Sequence, residues 1–392
     1  MLEGNDIICF CNDWDGDPLS KKHIVLRLAK KNRVLWVNSL GNRNPTVSVR
    51  DMRRVWKKLR QYCRGCRQVA QNIFLFSPLV IPFHGNRAAS WVNGRLLAWS
   101  LRRACRRLGF QKSVTLTFLP SSADVVGSLG ERLVVYYCVD EYSQFTGTDR
   151  TAMLQMEHRL IEKSDLVIVS SNRLYETKRR HNPDTFLVTH GVDVAHFRNA
   201  CVASTPLPED CAALPRPVIG FFGLVADWVD LEIIRYMASS RPEWSFLVIG
   251  EIQTDTSALR AMPNVHLLGR RSYQSLPSYC KAFDVAIMPF LVNELTLAAN
   301  PLKVREYLAA GLPVVATPLP EVVKLNSLVH PARTPQEFLE RTEALLKGGK
   351  RGPDLSVSRL MDTESWDVKV EEFSWIVTHL SNKRPKRPRQ AA

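Results

Sequence analysis

No stretch of the 392 residues approaches the roughly 18 to 20 uninterrupted apolar residues that a membrane-spanning helix needs. The first residues carry Glu3 and Asp6 where a secretory signal would be basic. The expectation is a chain neither exported by that route nor inserted into a bilayer. Even cysteine pairing is lacking: nine thiols, an odd number, lie scattered from Cys9 to Cys280, several inside apolar stretches, which suits reduced side chains in the cytoplasm. Cys63 and Cys66 form a single CxxC without a second pair or a nearby histidine, a weak signal for zinc. Repeats of solenoid period, aromatic-rich RNA motifs and recognition-helix patterns are missing as well. With 19 glycines and 23 prolines the chain is neither collagen-like nor of low complexity. Acid is short relative to base: 53 Lys and Arg against 38 Asp and Glu leave a net charge of +15. Such a surplus draws a protein to polyanions, whether nucleic acid, anionic membrane or phosphorylated substrates.

What is present is ample material for a core, 45% hydrophobic residues, in a length that suits two domains with a cleft between them. Short runs rich in Val, Ile and Phe alternate with helical patterns, the signature of parallel-sheet α/β units. Strands are expected at Asp6–Cys11, Arg33–Val37, Ile73–Phe76, Val114–Phe118, Leu133–Val139, Leu166–Ser170 and Phe186–Thr189. A second series is expected at Val218–Phe222, Phe246–Ile249, Val265–Leu268, Val285–Met288 and Val314–Ala316. Pro206, Pro208, Pro215 and Pro217 mark 201–217 as a hinge. The expected layout is therefore a domain over 1–200, the hinge over 201–217, a second domain over 218–360, a packing helix over 361–380 and a disordered basic tail over 381–392.

In open parallel sheets, ligands gather at the carboxyl ends of strands. The most informative stretch is NELTLAANPLKVREYLAAGLPVV, from Asn293 to Val315. Asn300 is a suitable N-cap, Pro301 a suitable first helical residue, and Gly311 with Pro313 a suitable stop, so a helix of about ten residues is expected. Its amino end offers unpaired N–H groups and a positive dipole, and Lys303 adds a full charge, a combination favouring a phosphate or diphosphate. Glu306, on the same face, is placed to accept hydrogen bonds from ribose hydroxyls. The spacing is equally compatible with an i,i+3 ion pair on a solvated helix.

This segment, with FDVAIMPF before it and VIGFFG and NVHLLGR upstream, resembles the donor-binding half of GT-B glycosyltransferases. It is most similar to glycosyltransferase family 4 type members of exopolysaccharide and teichuronic acid biosynthesis, in which a NPxKxxEYLAxGxPVV block recurs. YYCVDEYSQF, SDLVIVSSNRL and THGVDVAHF resemble the other half, so the match runs in patches from about Asp6 to Trp366. The resemblance implies an α/β fold of two Rossmann-like domains facing across a cleft, and transfer of a sugar, with the retention of configuration found in the family, from a nucleoside diphosphate to a glycan or lipid-linked acceptor. It implies that Glu306 holds the donor ribose, that Lys303 neutralises the diphosphate, and that Gly223 lets the phosphates approach. Gly269 and Arg270 would border the base, and Asp140 would lie beside the transferred sugar. Three departures stand out. Ala298 replaces the paired acid eight positions before Glu306, Leu224 to Trp228 supply no cation after Gly223, and His190 replaces a common asparagine. Lys303, helped by Arg305, is then left to neutralise the diphosphate.

The implied chemistry develops positive charge on the sugar and negative charge on the leaving phosphate, so fixed cations and helix N–H groups supply most of the help. Asp140 is a candidate to orient the acceptor, stabilise the sugar cation or act as base, the alternative being a helix cap. His190 is a second catalytic candidate, or a hydrogen-bonded loop histidine. Asp13 and Trp14, within the overlapping Asp13-Trp14-Asp15 and Asp15-Gly16-Asp17 patterns, read as an acceptor-side loop rather than a metal site, and no metal or cofactor is expected. From Arg87 to Leu108, the stripe Leu97, Leu101, Ala104 and Leu108 should face the sheet, while Trp91, Arg95, Trp99, Arg102 and Arg106 line the other side, a face suited to anionic lipid. Arg50 to Arg67 adds eight basic residues. A solvated face, peripheral docking at the inner side of a membrane, and nucleic acid all remain open for these charges, though no nucleic-acid partner is expected. Two rival classes accompany the transferase: a sugar-nucleotide epimerase of the same architecture and a basic nucleic-acid-binding protein.

Overall fold

The computed structural model describes residues 2–39, 65–78 and 87–383. The chain divides into two units, Met1–Thr189 with Lys369–Ala392, and His190–Val368.

The first unit is built on eight strands: β1 (Asp6–Phe10), β2 (Arg33–Val37), β3 (Arg67–Ala70), β4 (Ile73–Phe76), β5 (Val114–Thr117), β6 (Leu133–Cys138), β7 (Leu166–Val169) and β8 (Thr185–Leu187). Their order is β3-β4-β2-β1-β5-β6-β7-β8. Every pairing is parallel except β3 with β4. Runs such as LVVYYC in β6 are buried at every position, as strands covered by helices on both faces must be. The order reverses beside β1, which pairs β2 on one side and β5 on the other, with Ile8 opposite Leu35 and Thr115. Ligands of doubly wound sheets bind at such a reversal.

The second unit has six strands: β9 (Val218–Phe222), β10 (Ser245–Ile249), β11 (Val265–Gly269), β12 (Val285–Met288), β13 (Val314–Ala316) and β14 (Val329–Pro331). Their order is β11-β10-β9-β12-β13-β14, all parallel, with the reversal beside β9. The two strands that sequence reading missed, β3 and β14, are short edge strands, RQVA and VHP, without an apolar run to announce them.

Two boundaries differ from expectation. The unit division falls between Thr189 and His190, not in 201–217. That proline-rich segment is fastened to the second unit: Lys281 Nζ donates to the carbonyls of Val202, Ala203 and Thr205 at 2.9, 2.7 and 2.6 Å, and Arg271 Nη2 pairs with Asp210 at 2.8 Å. Cys211 lies in the same core as Phe197 and Ala200. The prolines leave the segment one short helix, Glu209–Ala212, without making it a hinge. The final helix is Trp366–Lys383 rather than 361–380; Trp366 is buried, and Phe373 stacks on Tyr137 of β6 with centroids 5.9 Å apart. Residues 384–392 of the expected basic tail lie outside the described residues, as do Arg50 to Arg64 and Cys63.

Candidate functional site

In the second unit the helix Leu302–Ala309 buries Val304, Tyr307 and Leu308, the i, i+3, i+4 spacing of a helix face. Tyr307 hooks that helix to the end of β9: its hydroxyl accepts from Phe222 N at 2.9 Å and lies 3.3 Å from Phe222 O, to which it donates. This anchor sets the helix start over the β9 tip. There Gly223 has φ +144°, and a Cβ at that position would stand 1.7 Å from Lys303 Cε and 2.7 Å from Nζ. The lysine is laid directly on bare backbone, which only glycine permits. Beside it, Gly223 N donates to Ile249 O at 2.8 Å and Gly250 N to Gly269 O at 2.9 Å, so the tips of β9, β10 and β11 are drawn into one layer. Lys303 Nζ also lies 5.7 Å from the Phe290 ring centroid.

Glu306 follows one turn later. The residue keeps some exposure, but its carboxyl is desolvated, and that burial pushes its pKa up to about 7 against the opposing pull of Lys303. Lys303 and Glu306 are thus brought together at the β9 tip.

The turn before the helix corrects the sequence reading. Pro301, not Asn300, is the N-cap residue, and no side chain caps the helix. Asn300 is buried, and its Oδ1 accepts from Arg305 Nη1 at 2.6 Å, so the side chain expected at the amides is drawn back to an arginine. Arg305, itself buried, also pairs with Glu364 at 3.2 Å and therefore serves the fold rather than the phosphates. His190 opens the second unit. Its Nδ1 lies 2.9 Å from Asn300 O, and its ring sits 5.8 Å from that of Trp366, so the structure joins it to the Asn300 turn. Gly269 ends β11 with φ +69° and open space where a Cβ would stand. Arg270 is exposed, whereas its neighbour Arg271 is bound to Asp210, Tyr279 and Leu268 O.

In the first unit, Asp140 follows β6, half-buried, with its carbonyl accepting from Tyr142 N at 3.1 Å. Asp13 is exposed, and its Oδ1 accepts from Ser39 N at 3.2 Å; Trp14 packs edge-on against Trp36 at 5.0 Å and donates from its backbone to Asn38 Oδ1 at 3.0 Å. No group of three or more His, Cys, Asp or Glu among the described residues is arranged to hold a metal ion. On the helix Arg87–Arg107, Leu97, Leu101 and Ala104 are buried and Leu108 beyond it is half-buried, while Arg95, Trp99, Arg102 and Arg106 are exposed. Arg102 Nε donates to Ser128 O at 2.8 Å. The Trp91 side chain lies outside the described residues.

Sequence reading missed three features. One is the Tyr307 anchor, whose signal was its i,i+4 spacing from Lys303. A second is a buried network beneath the β6 tip, where Lys178 Nζ pairs with Glu157 at 2.7 Å and Glu141 at 2.9 Å, and Tyr136 donates to Glu157 at 2.7 Å. The third is Lys21, buried in the first turn of the helix Ser20–Leu28 at the β1 tip. Lysines of this kind look like surface residues in a sequence, and nothing in their spacing betrays burial.

Residues 216–348 match the family model Glycosyl transferases group 1. A stretch of 189 residues is 31% identical to the putative teichuronic acid biosynthesis glycosyltransferase TuaH of Bacillus subtilis (strain 168), covering 45% of this chain and 46% of that protein. The match spans about half the length of that relative. Among solved structures, sucrose-phosphate synthase from Thermosynechococcus elongatus superposes with a TM-score of 0.66 at 14% identity, covering 97% of this chain and 100% of the other. Anabaena HepE in complex with UDP-glucose gives 0.67 at 12% identity over 96% of this chain and 99% of the other. The E. coli trehalose-6-phosphate protein bound with UDP-2-fluoro glucose gives 0.67 at 12% identity over 98% of this chain and 100% of the other. The chain has the GT-B fold of these structures, and its second unit resembles the group 1 glycosyl transferases from residue 216 to residue 348.

Proposed function

We propose that the protein transfers a sugar from a nucleoside diphosphate, with UDP the first candidate, to a glycan or lipid-linked acceptor in cell-surface polysaccharide synthesis. The observation that carries the proposal is Lys303 lying on Gly223 at the β9 tip, beside a helix start without a side-chain cap. A diphosphate there would meet an ammonium, free N–H groups and the positive end of a dipole, the groups that stabilise a leaving phosphate. Glu306, one turn on, would accept from the ribose hydroxyls. UDP-glucose and UDP-2-fluoro glucose in two structures of the same fold support the donor class, and the similarity to TuaH supports the acceptor class. Asp140 is proposed to meet the transferred sugar or the acceptor hydroxyl, and His190 to support the donor turn through Asn300.

A thermal-shift screen against nucleoside diphosphates and their sugars tests the donor, because a ligand selective for the native state raises its stability. Lys303→Ala or Glu306→Ala should weaken binding by about 1 to 3 kcal/mol. Unchanged affinity for every nucleotide would refute the assignment, and turnover of the donor without acceptor would point to an epimerase. We further propose that the enzyme works at the cytoplasmic face of an anionic membrane. No helix among the described residues is long and apolar enough to cross one. The helix Arg87–Arg107 carries six arginines and no acid, and exposes Leu96 and Trp99 at 51% and 56%. Neutralising Arg95, Arg102 and Arg106 should release the protein from vesicles containing anionic lipid; undiminished binding would reject this face.

A further inference from the structure

The helix Ser20–Leu28 begins just beyond β1 with Leu19 as N-cap, no side chain capping its amides and no acid in its first turn. Lys22 N and His23 N already donate to Leu19 O at 2.9 and 3.2 Å, so the start presents the N–H groups of Ser20 and Lys21 and the positive end of the helix dipole. Lys21, the second helical residue, is only 7% exposed, so a full positive charge is buried where the helix field already disfavours one. Among the described residues its ammonium has one hydrogen bond, to Asn12 Oδ1 at 3.2 Å, and stands 5.3 Å from the Tyr142 ring centroid. No described carboxylate lies within ion-pair distance, and Asp140 acts on it only from farther away. Burial draws its pKa below the ordinary lysine range. The other titratable groups facing it are the Tyr142 phenol and the thiols of Cys9, Cys11 and Cys138; burial pushes Tyr142, Cys9 and Cys138 well up, so these three stay neutral.

The surroundings are built rather than incidental. Asn12 O accepts from Trp36 Nε1 at 2.9 Å, and Lys22 Nζ donates to Trp14 O at 2.8 Å, so the loop after β1 is fixed by neighbours other than Lys21. Tyr142 donates to Phe118 O at 2.8 Å, gathering the ends of β5 and β6 to the same place. Asn12 is exposed, so the ammonium lies just under the surface. The second unit repeats the arrangement: Lys303 is likewise the second residue of a helix with no side-chain cap and no acid in its first turn. Both helices stand at the strand-order reversal of their sheets.

We propose that Lys21 and the first turn of Ser20–Leu28 form an anion subsite in the first unit, which takes a phosphate, diphosphate or carboxylate group carried by the acceptor. The word acceptor rests on the transferase reading; the anion site does not. An entering anion would approach from the Asn12 side, accept from the ammonium and the first-turn amides, and supply the counter-charge that the fold leaves out.

Inorganic pyrophosphate, titrated calorimetrically into a Lys303→Met protein, probes the subsite with the proposed donor cation removed. Saturable binding should remain, fall at least tenfold when Lys21→Met is added, and return with Lys21→Arg. In ε-carbon-labelled lysine NMR, the Lys21 titration should move to higher pH when pyrophosphate binds, because the anion favours the charged form. Should Lys21→Met fail to fold, Asn12→Asp at the exposed position is decisive: a carboxylate placed on the ammonium should abolish pyrophosphate binding and raise thermal stability. In transfer assays Lys21→Met should raise KM for a uronate-bearing glycan or for a lipid diphosphate, whichever is the anion's source, and leave KM for a neutral glycoside unchanged. Equal pyrophosphate affinity with and without Lys21, or with Asn12→Asp, overturns the proposal. So does an equal loss of turnover on neutral and anionic acceptors, which would make Lys21 a support for Asp140. Failure of the transferase reading itself would appear separately, as absence of nucleotide-sugar binding with the pyrophosphate titration intact.

Discussion

Gly223→Ala isolates the contact on which the proposed donor site depends. The backbone at φ +144° belongs almost exclusively to glycine, so forcing alanine into it should cost about 1 to 3 kcal/mol of stability. The added methyl would stand 1.7 Å from Lys303 Cε, 2.7 Å from Nζ and 3.0 Å from Cδ, well inside any tolerable separation. Those atoms are the far end of a flexible side chain, which can swing away, so the fold should survive while the ammonium leaves the β9 tip. Loss of one charge-assisted contact of about 1 to 3 kcal/mol corresponds to roughly 5- to 150-fold in nucleotide affinity. Denaturant unfolding would report the first quantity and calorimetric titration with nucleoside diphosphates the second. Because both substitutions act through the same ammonium, Gly223→Ala and Lys303→Met should be strongly non-additive in a double-mutant cycle. Wild-type affinity in Gly223→Ala, or two losses that simply sum, would refute the placement of Lys303 as the phosphate cation.

Glu306, with a folded pKa of about 7 against an unfolded value near 4.5, should make stability greatest below about pH 4.5 and lower it as pH rises through about 7, by about 3 kcal/mol in all. Glu306→Gln should flatten that slope in pH-dependent denaturant unfolding, and nucleotide affinity in the wild type should strengthen across the same interval as the carboxylate forms. Lys178→Met should destabilise by about 3 to 5 kcal/mol, since it takes the counter-charge from the buried Glu157 and from the half-buried Glu141, and unfolding midpoints would show it. Arg305→Met should cost about 2 to 4 kcal/mol and loosen the Asn300 turn, seen as faster amide exchange at the start of the Leu302–Ala309 helix.

The parallel sheets were legible because burial on both faces writes itself as continuous Val, Ile and Phe runs; β6 and β12 announce themselves that way, while β3 and β14 do not. That Lys303 and Glu306 share a helix face was legible from their i,i+3 spacing, and the structure adds that this face meets Gly223 at the β9 tip. Asn300 was misread for an instructive reason. Its preference for N-caps is real, but a buried guanidinium 2.6 Å away is a stronger partner than an amide, and the turn at Pro301 brings Arg305, five residues on, within reach. The 201–217 segment shows the same limit. Proline content reports what a segment cannot form, whereas the lysine that binds three of its carbonyls, Lys281, comes from the helix Leu276–Ala282, some 80 residues away in sequence.

The cations inside these units fall into two kinds, and the difference bears on function more than their number does. Arg305 faces Glu364 at 3.2 Å, Arg271 faces Asp210 at 2.8 Å, and Lys178 faces Glu157 at 2.7 Å; each is balanced by a carboxylate of its own unit. A fold that only needed such charges for cohesion would balance Lys21 the same way, because an uncompensated buried charge is a standing loss. Instead Lys21 meets a neutral amide, while Lys303 crosses a glycine backbone at the end of β9 with Glu306 one turn on. Both sit second in a helix that has neither a side-chain cap nor an acid in its first turn, where two positive fields add. For Lys21 the unfavourable energy of that coincidence is recovered when an anion arrives, so the first unit is less stable empty than it would be with that lysine neutralised. Lys303→Met and Lys21→Met should therefore lose ligand affinity while costing the empty protein less than Lys178→Met does, an ordering opposite to the one expected if all three lysines served the fold alike.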